Sequence, residues 1–595
     1  MKRLETDVVI IGGGATGAGV FRDCCLRGMR TILVERNDIA TGTTGRNHGL
    51  LHSGARYAVT DGHSATECIR ENRTLKHIAS HCIENTDGLF ISLPEDGLEY
   101  QAKFINGCAR AGIPTEILTP EQALRLEPVV NPSLIGAVRI PDGTIDPFRI
   151  TSSNILDGRE HGGTLLTDTR AVGLIIQQGQ VAGIHCLDVR TGERYEIRAA
   201  QVINATGAWC HEIMEYADLS VDMYHSRGAL LIMGHRMNGM VINRCRKPGD
   251  SDILVPGDTV SVIGTTSTHV GRNELENMEV TDEEVRVLLE EGCKLAPSMA
   301  STRILRAYCG VRPLVSTSSN GSDRTISRGL VAIDHADSDN LPGLITITGG
   351  KLMTYRLMAE VATDMAAKHL GISKACTTAS VPLPGAQGDD RANSQSWSLP
   401  NTVSGSAVYR HGDRARNFIK EEDKNKQTDL DKQESSPRWR NAVVCECEVV
   451  TRGEILYAVD KLNARSLSDL RRRTRIGMGP CQGEMCACRT ASLLAATRSD
   501  VVSPLKALHE FVDERWKGVR PVLWGDGLRE AEFSYWVQEG LLGLGSLKSD
   551  QQNDQQNDQQ NDSEALIANA VDACAADETL SGQQAEQRAE QGEVV

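Results

Sequence analysis

The stretch Asp7-Val-Val-Ile-Ile-Gly-Gly-Gly-Ala-Thr-Gly17 decides the fold class of this 595-residue chain. Its first half is a short apolar, β-branched run, which is typical of a buried parallel strand. A helical stretch at 18–27 follows the glycines, and a second apolar strand, Thr31–Val34, ends on the acid Glu35. This order of strand, glycine-rich turn, helix, strand and acid is the pattern of a unit that binds a dinucleotide.

The glycines of this stretch have distinct physical roles. Gly12 makes the tight turn, Gly14 lets the backbone approach a pyrophosphate, and Gly17 allows the helix to pack closely on the strand. The N-terminus of the helix then faces the anion. Glu35 lies about 20 residues beyond the glycines, where a carboxylate accepts the ribose hydroxyls of an adenine dinucleotide. We therefore predict a Rossmann-type site for FAD or NAD.

The segment after Glu35 favours FAD over NAD. A Gly/Thr-rich loop at 41–47 leads into residues 48–57, where small residues alternate with His and Arg. Such a mixture could form a flexible surface loop, but it also suits close backbone packing around a flat ring and a polar ligand. A nicotinamide dehydrogenase would be expected to continue here with a further βα repeat.

Length, charge and hydropathy limit the possible classes of protein. The chain is long enough for more than one domain, because single cores rarely exceed about 300 residues. Its net charge of −15 argues against a general nucleic-acid binder. No apolar run approaches the roughly 20 residues that span a bilayer, and the first strand begins too early to leave room for a signal peptide. We expect a cytosolic protein, or one attached to a membrane through a partner.

The composition divides the chain into five segments. We predict a mixed α/β (α+β) fold, with a Rossmann-type FAD-binding domain and an interleaved, sheet-containing substrate domain over residues 1–375. A linker at 376–440 carries a disordered charged insertion. A small domain at 441–494, in which a C-x-C and a C-x4-C pair indicate an iron–sulfur centre, precedes a helical docking segment at 495–545. The last segment, 546–595, contains QQND repeats and is expected to be disordered.

Two later stretches lead back to the dinucleotide site. An apolar strand at 201–204 ends in Ala-Thr-Gly, and a strand at 344–348 ends in Gly-Gly-Lys before a helix. The N-terminus of that helix is a second place where an anion or oxyanion can be stabilised. The predicted cofactor-binding residues are Gly12, Gly14, Ala15, Thr16, Gly17, Glu35, Thr43, Thr44, Ala205, Thr206, Gly207, Gly350, Lys351 and Leu352.

The cysteines predict a metal centre near the C-terminus. Most of the 17 cysteines are scattered and are interpreted as small buried hydrophobic residues. Cys445 and Cys447 form a C-x-C pair, and Cys481 and Cys486 a C-x4-C pair. Four such thiolates suit a [2Fe–2S] cluster; zinc fits the C-x-C spacing less well, and unligated buried cysteines are a third interpretation. Cys488 could replace Cys486 as the fourth ligand.

A run of arginines at 471–475 lies between the two cysteine pairs. It could be the solvated face of a helix. Alternatively, it offsets the negative charge of a tetrathiolate cluster, or it docks a partner protein.

Taken together, four motifs resemble the FAD-dependent glycerol-3-phosphate dehydrogenases. They are the glycine-rich turn at 12–17, Leu-His-Ser-Gly-Ala-Arg-Tyr at 51–57, Gly-Val-Arg-Pro-Leu at 310–314, and Gly-Gly-Lys-Leu-Met-Thr-Tyr-Arg at 349–356. The cysteine block is similar to the [2Fe–2S] domain named after bacterioferritin-associated ferredoxin. The combination looks like the large catalytic subunits of the anaerobic enzymes of that family. The resemblance covers roughly residues 1–545, apart from the charged insertion.

The resemblance implies oxidation of sn-glycerol 3-phosphate to dihydroxyacetone phosphate with reduction of FAD. It further implies that electrons pass through the iron–sulfur centre, a second flavin subunit, then an iron–sulfur membrane-anchor subunit, to menaquinone, in anaerobic respiration and glycerol catabolism. The chain would then lie at the cytoplasmic face of the inner membrane as a peripheral, quinone-linked enzyme without a transmembrane segment of its own.

The same resemblance suggests the residues of the substrate site. Arg56, Arg312, Arg328 and Lys351 would bind the substrate, because a basic cluster holds a phosphate dianion and favours a developing alkoxide. His52, with an unperturbed pKa close to operating pH, is a candidate general base, so His52, Arg312 and Lys351 are the predicted catalytic residues.

Two other functions compete with this one. An FAD-dependent dehydrogenase or oxidase of amino acids or 2-hydroxy acids needs an Arg for a carboxylate but not several cations for a phosphate. A non-enzymatic electron-transfer or iron–sulfur assembly scaffold would hold a flavin that no small alcohol reduces.

Overall fold

A computed structural model of the chain describes residues 2–315, 329–386, 405–418, 437–500 and 503–544. The chain divides into two compact units, Met1–Arg529 and Glu530–Val595. The described part of the second unit contains the end of the helix Asp526–Trp536 and a π-helical turn, Val537–Leu541. The predicted tail at 546–595 lies outside the described residues.

The first sheet contains the predicted dinucleotide unit. Lys2–Ile11 lies at its centre, parallel to Thr31–Val34 on one side and to Arg194–Asn204 on the other. Thr164–Leu166 extends the parallel pairing beyond Thr31–Val34, and Leu344–Gly349 extends it beyond Arg194–Asn204. The sheet is completed by antiparallel strands, Thr169–Gln177, Gln180–Asp188 and Leu330–Asp334. The predicted Rossmann-type fold is therefore confirmed.

Helices cover this sheet where the glycine pattern predicts one. The helix Ala15–Leu26 begins three residues earlier than the predicted 18–27, because it starts directly at the glycine turn. It packs against the helices Pro147–Glu160 and Tyr355–Leu370. Buried apolar side chains such as Val8, Phe21 and Ala362 fill the space between these helices and the sheet.

The second sheet forms the interleaved substrate domain. Its longest strands, Met223–Met233 and Ile304–Val315, pair antiparallel over most of their length. The sheet is antiparallel except where Val241–Arg244 runs parallel to Gly88–Ser92. Its remaining strands are Glu116–Leu118, Gly136–Ile140, Ile253–Gly257, Val260–Gly264 and Thr268–His269.

The cysteine block is a small, mainly helical structure. A short hairpin, Val443–Cys445 with Val450–Thr451, leads into the helices Arg452–Asp460, Leu467–Thr474 and Ala487–Thr497. Its core contains Val444, Ile455, Leu470 and Leu494. The helix Pro504–Val519 follows and packs on both Ala487–Thr497 and the strand Ile304–Val315.

Shorter elements connect these parts. A small sheet is formed by Leu50–Leu51, Ile83–Glu84 and Gly143–Ile145. The remaining α-helices are Gly62–Ile78, Glu99–Ala111, Pro120–Leu126, Cys210–Glu215, Asp282–Leu295, His335–Ser338, Gly405–His411, Pro437–Arg440 and Asp526–Trp536. Among the described helices, none is both long and apolar enough to cross a membrane.

The region predicted to be a linker, 376–440, contains ordered structure where it is described. Gly405–His411 is helical and continues into a 3-10 helix, Gly412–Phe418. Arg410 is buried there and donates to both carboxylate oxygens of Glu454 in the cysteine block. The charged insertion at 421–436 lies outside the described residues.

Candidate active site

The predicted dinucleotide cradle lies at one edge of the first sheet. Gly12 follows the central strand, and Ala205 follows the neighbouring strand Arg194–Asn204, which pairs with it in parallel register. A Cβ on Gly17 would lie 1.9 Å from the carbonyl oxygen of Gly12, so only glycine lets the helix approach the turn so closely. The helix Ala15–Leu26 therefore begins at this edge, where the Ala15 N–H donates to the Thr44 hydroxyl at 3.0 Å.

Glu35 lies beside the cradle at the end of the second strand. Its Oε2 accepts a hydrogen bond from the Gly13 N–H at 2.7 Å, and its Oε1 accepts one from the Asn37 N–H at 2.9 Å. Burial raises the pKa of this carboxyl, and the two backbone donors oppose that rise. The carboxylate thus fixes the loop that would surround a ribose.

A cleft of about 410 Å³ opens from the cradle towards the second sheet. It brings together most of the predicted site residues, namely Gly12, Gly14, Ala15, Thr16, Glu35, Thr43, Thr44, His52, Arg56, Ala205, Thr206, Gly207, Arg312, Lys351 and Leu352. Gly17 and Gly350 are not part of this lining. Arg328 lies outside the described residues.

The lining of the cleft also includes three side chains that the sequence analysis missed. Arg36 forms an ion pair with Glu276 at 2.8 Å, and the Trp209 indole N–H donates to the same carboxylate at 2.8 Å. The Arg36 guanidinium also lies 4.6 Å from the centre of a Trp209 ring. Arg36 directly follows Glu35, but nothing in the sequence indicates its contact with Glu276.

Arg312 reaches the cleft from the strand Ile304–Val315, opposite Ser226 in the neighbouring strand. Its Nη1 donates to the Ser226 hydroxyl at 2.7 Å, and its Nη2 donates to the Thr266 carbonyl at 3.0 Å. A Cβ on Gly228 would lie 2.4 Å from Nη2, so the missing side chain leaves room for the guanidinium. Arg312 is thereby held rigidly in the cleft wall.

The two terminal nitrogens of the Arg56 guanidinium differ in their contacts. Its Nη2 donates to Asp252 Oδ2 at 3.1 Å, and Arg246 binds the other oxygen of the same carboxylate at 2.7 Å. The pKa of Asp252 is lowered, because the two guanidinium groups outweigh the effect of burial. Arg56 Nη1 is buried in the cleft wall without a hydrogen-bond partner among the described residues. A buried donor of this kind is costly unless a ligand satisfies it.

His52 and Lys351 both contact Tyr57 in the cleft. The centres of the His52 and Tyr57 rings are 5.5 Å apart, and Lys351 Nζ lies 4.9 Å from the centre of the Tyr57 ring. Arg46 and His48 line the same cleft but were not predicted as site residues. They belong to the His- and Arg-containing loop that favoured FAD, so the loop itself was the available signal.

The helix after Gly349 differs in detail from the predicted one. Gly349 and Gly350 both have positive φ angles, of +73° and +67°. A 3-10 turn, Leu352–Thr354, follows, and the α-helix begins only at Tyr355. Lys351 therefore precedes a tight turn and does not head the α-helix directly.

The cysteine block brings four sulfur atoms together. Cys445 Sγ lies 3.8 Å from Cys447 Sγ, and Cys447 Sγ lies 3.5 Å from Cys481 Sγ. Hydrogen bonds from Cys447 and then Cys486 lower the pKa of Cys445, and one from Cys447 lowers the pKa of Cys481 to about 6. Cys486 thus lies against Cys445, whereas Cys488 lies in the first turn of Ala487–Thr497.

The arginine run at 471–475 is not a solvated helix face. The side chain of Arg473 is fully buried, and those of Arg472 and Arg475 are mostly buried. All three form ion pairs with acids elsewhere in the first unit. The structure therefore contradicts the solvated-face interpretation.

Comparisons with known proteins agree with this geometry. Residues 7–356 match the FAD dependent oxidoreductase family, and residues 443–496 match the BFD-like [2Fe-2S] binding domain. A protein of Escherichia coli (strain K12), named as one of the subunits of anaerobic glycerol-3-phosphate dehydrogenase, is 56% identical over 550 residues, which cover 92% of this chain and 98% of that protein. The chain belongs to this family of FAD-dependent dehydrogenases. The protein of the same name from Haemophilus influenzae is 53% identical, with 92% of this chain and 95% of that protein covered.

Solved structures show the same fold. The X-ray structure of the glycerol-3-phosphate dehydrogenase from Bacillus halodurans complexed with FAD has a TM-score of 0.62 at 21% identity, and the match covers 88% of this chain and 97% of that one. L-proline dehydrogenase from P. horikoshii has a TM-score of 0.51 at 20% identity, with 62% and 95% of the two chains covered.

The residues present fit both cofactors of the family. Gly12 and Gly14 line the cleft where the first strand meets the helix, and the cleft continues from there past Glu35. The sulfur–sulfur separations of 3.5 and 3.8 Å suit thiolates that share a compact cluster. FAD and a [2Fe–2S] cluster, both predicted from the sequence, are therefore supported.

Asp142 provides a pH-dependent contribution to stability behind the His52 loop. Its Oδ1 accepts from the Ser53 N–H at 2.6 Å, and burial raises the pKa of its carboxyl from 3.8 to about 6. Since the folded state then holds the extra proton between about pH 4 and 6, the free energy of unfolding should fall as pH rises through this window, by at most about 3 kcal/mol.

We expect the substitution Asp142→Asn to remove this dependence. Thermal unfolding of both proteins from pH 4 to 8 checks it: relative to the variant, the wild type should lose stability up to about pH 6 and then stay constant. A difference that is flat across pH 4–6 would contradict the assignment.

Proposed function

We propose that the chain oxidises sn-glycerol 3-phosphate to dihydroxyacetone phosphate at the cleft described above. The observation that carries the proposal is the convergence of Arg56, Arg312 and Lys351 on one cleft beside the dinucleotide cradle. Arg56 Nη1 is a buried donor that the described part of the chain leaves unsatisfied. A phosphate dianion would satisfy it and would be attracted by all three cations.

The side chains of the cleft take different roles in the proposed reaction. Arg56 binds the phosphate through Nη1, while its link to Asp252 keeps the guanidinium in place. Arg312, held by Ser226 and Thr266, binds the substrate and favours negative charge on the C2 oxygen. Lys351 lies near the phosphate or the edge of the flavin. His52 accepts the proton of the C2 hydroxyl.

FAD, when bound, supplies the acceptor for the hydride from C2, and the cluster supplies a one-electron acceptor. We propose that Cys445, Cys447, Cys481 and Cys486 are the cluster ligands, since the first three sulfurs are in contact and Cys486 lies against Cys445. Arg328, which lies outside the described residues, stays a predicted substrate ligand.

The relatives are named as single subunits of an enzyme, which implies further subunits. We propose that the partners are a second flavin subunit together with an iron–sulfur subunit that anchors the complex at the cytoplasmic face of the inner membrane. Electrons would then pass to menaquinone. The proposed domain bounds remain 1–375, 441–494 and 495–545, joined by the linker 376–440 and followed by the tail 546–595.

The function is tested by anaerobic mixing of the FAD-loaded protein with sn-glycerol 3-phosphate while the visible spectrum is followed. We expect the flavin band to bleach with this substrate and to stay oxidised with glycerol, L-proline, glycine and lactate. Bleaching by an amino acid or a 2-hydroxy acid, but not by the phosphate ester, would transfer the protein to the competing class.

We expect Arg56→Met to weaken binding of sn-glycerol 3-phosphate by roughly 10- to 100-fold, because a charge-assisted hydrogen bond is lost. The matched control is Arg246→Met, which removes the other partner of Asp252 but lies outside the lining of the cleft. Titration of flavin bleaching against substrate concentration measures both. Equal weakening in the two variants would show that Arg56 acts only through Asp252.

Cys486→Ser and Cys488→Ser separate the two candidates for the fourth ligand. We expect Cys486→Ser to lose most of its cluster-bound iron and sulfide, because its thiol lies against Cys445. Cys488→Ser should retain wild-type amounts. Iron and acid-labile sulfide per flavin provide the measurement, and the reverse pattern would assign the fourth ligand to Cys488.

A further inference from the structure

The arginine run at 471–475 remains unexplained by the proposed chemistry. It lies on the helix Leu467–Thr474 and the residue after it, between the two cysteine pairs. Arg475 has a φ angle of +66°, in a region that residues other than glycine rarely adopt. The chain therefore turns at Arg475, which is the C-cap of the helix.

The arginine run contacts first the loop that follows Glu35, the predicted ribose-binding acid. Arg473 donates to both oxygens of Asp38, at 2.5 and 3.1 Å, and Arg472 donates to Asp38 Oδ2 at 2.7 Å. Asp38 is 8% exposed. Burial disfavours its ionised form, but the guanidinium groups of Arg473 and Arg472 outweigh burial and lower the pKa of Asp38. Asp38 lies three residues beyond Glu35, which lines the cleft.

The second anchor is a hairpin of the substrate domain. Arg475 Nε lies 2.8 Å from Asp258 Oδ2 and 3.0 Å from Glu448 Oε2. Asp258 forms the turn between Ile253–Gly257 and Val260–Gly264, and Arg149 binds both of its oxygens. Glu448 directly follows the cluster residue Cys447 and accepts from the Thr259 hydroxyl on the same turn.

This hairpin connects the cysteine block with the substrate site. Its tip contacts Glu448, and its other end, Gly264 and Thr265, lines the cleft. Thr265 accepts a hydrogen bond from Arg312. The same hairpin therefore contributes to the wall of the cleft at one end and contacts the cysteine block at the other.

We propose that Arg473 and Arg475 are positioning residues, which clamp the cysteine block onto the FAD domain at a fixed separation from the flavin cleft. The clamp keeps the distance for electron transfer within the chain constant. The arginine run therefore makes contacts inside this chain and does not dock another subunit. The proposal rests on the proposed function for the direction of electron flow.

The step that depends on the clamp transfers one electron. The reduced flavin loses one electron and one proton, the electron enters the oxidised cluster, and the proton goes to solvent. The second electron follows once an external one-electron acceptor, such as ferricyanide, has reoxidised the cluster. The rate of electron transfer falls steeply with the distance between donor and acceptor. Weakening the contacts that hold the cysteine block should therefore slow this step more than the reaction with substrate.

The test uses Asp38→Asn and Asp258→Asn in the full chain loaded with FAD and cluster. The matched control is Asp500→Asn, which removes the ion pairs of Asp500 with Arg190 and Arg498; the Asp500 side chain is 40% exposed. Flavin bleaching and cluster reduction are followed separately after anaerobic mixing with sn-glycerol 3-phosphate, by absorbance and by electron paramagnetic resonance of quenched samples.

We expect flavin bleaching to stay within about twofold of the wild type in all three variants, and cluster reduction to slow by about tenfold or more in Asp38→Asn and Asp258→Asn alone. Asp258→Glu, which restores the charge, should recover part of the rate. A second readout requires no turnover: an iron chelator should remove the cluster faster from Asp38→Asn and Asp258→Asn than from Asp500→Asn.

Unchanged cluster reduction in both variants would overturn the proposal, as would a parallel loss of flavin bleaching. If Asp258→Asn is recovered without flavin, Arg475→Lys replaces it, because lysine keeps the charge but loses the simultaneous contacts of the guanidinium with Asp258 and Glu448. If sn-glycerol 3-phosphate does not bleach the wild-type flavin, the proposed function fails; the clamp is then tested alone, with the flavin reduced by light and a sacrificial donor.

Discussion

The parallel pairing in the first sheet is the constraint on which the rest of the structure depends. Ile11 lies opposite Asn204, where both strands end, and Asn204 lies opposite Thr346, three residues before the third strand ends at Gly349. Chain segments that leave a parallel sheet at its carboxyl edge must therefore meet there. Gly12, Gly207 and Lys351 come from distant parts of the sequence and line one cleft for this reason.

The second sheet is fixed to that edge by a few polar contacts. The Thr43 hydroxyl donates to the Val311 carbonyl at 2.7 Å, and the Tyr308 hydroxyl donates to the Asn47 carbonyl at 2.8 Å. These bonds tie the loop after the second strand to the strand that carries Arg312. The positions of the cofactor cradle and the substrate arginine are therefore set by the same loop.

The sequence predicts those features that local physics controls. The glycine spacing at 12–17 determines a turn and a close helix–strand contact, so the Rossmann-type unit was predicted correctly, and most of the predicted site residues line one cleft. The cysteine spacing indicated a cluster but left Cys486 and Cys488 as alternatives for the fourth ligand. Arg36, Glu276 and Trp209 were missed, because their contact depends on tertiary structure and has no local signal. The arginine run stayed ambiguous for the same reason: Arg473 and Asp38 are 435 residues apart in the chain.

The ion pairs that hold the cysteine block limit how far it can be treated as an independent domain. Its sequence looks like a self-contained appendage that could be removed or transplanted by cutting near residue 441. Its counter-charges, however, belong to the remainder of the chain: Asp38 and Asp258 are both mostly buried and are neutralised by Arg473 and Arg475. A shortened chain would leave Asp38 without Arg472 and Arg473, and Asp258 with Arg149 but without Arg475. The two parts of the chain are therefore not electrostatically independent, although their sequences can be told apart.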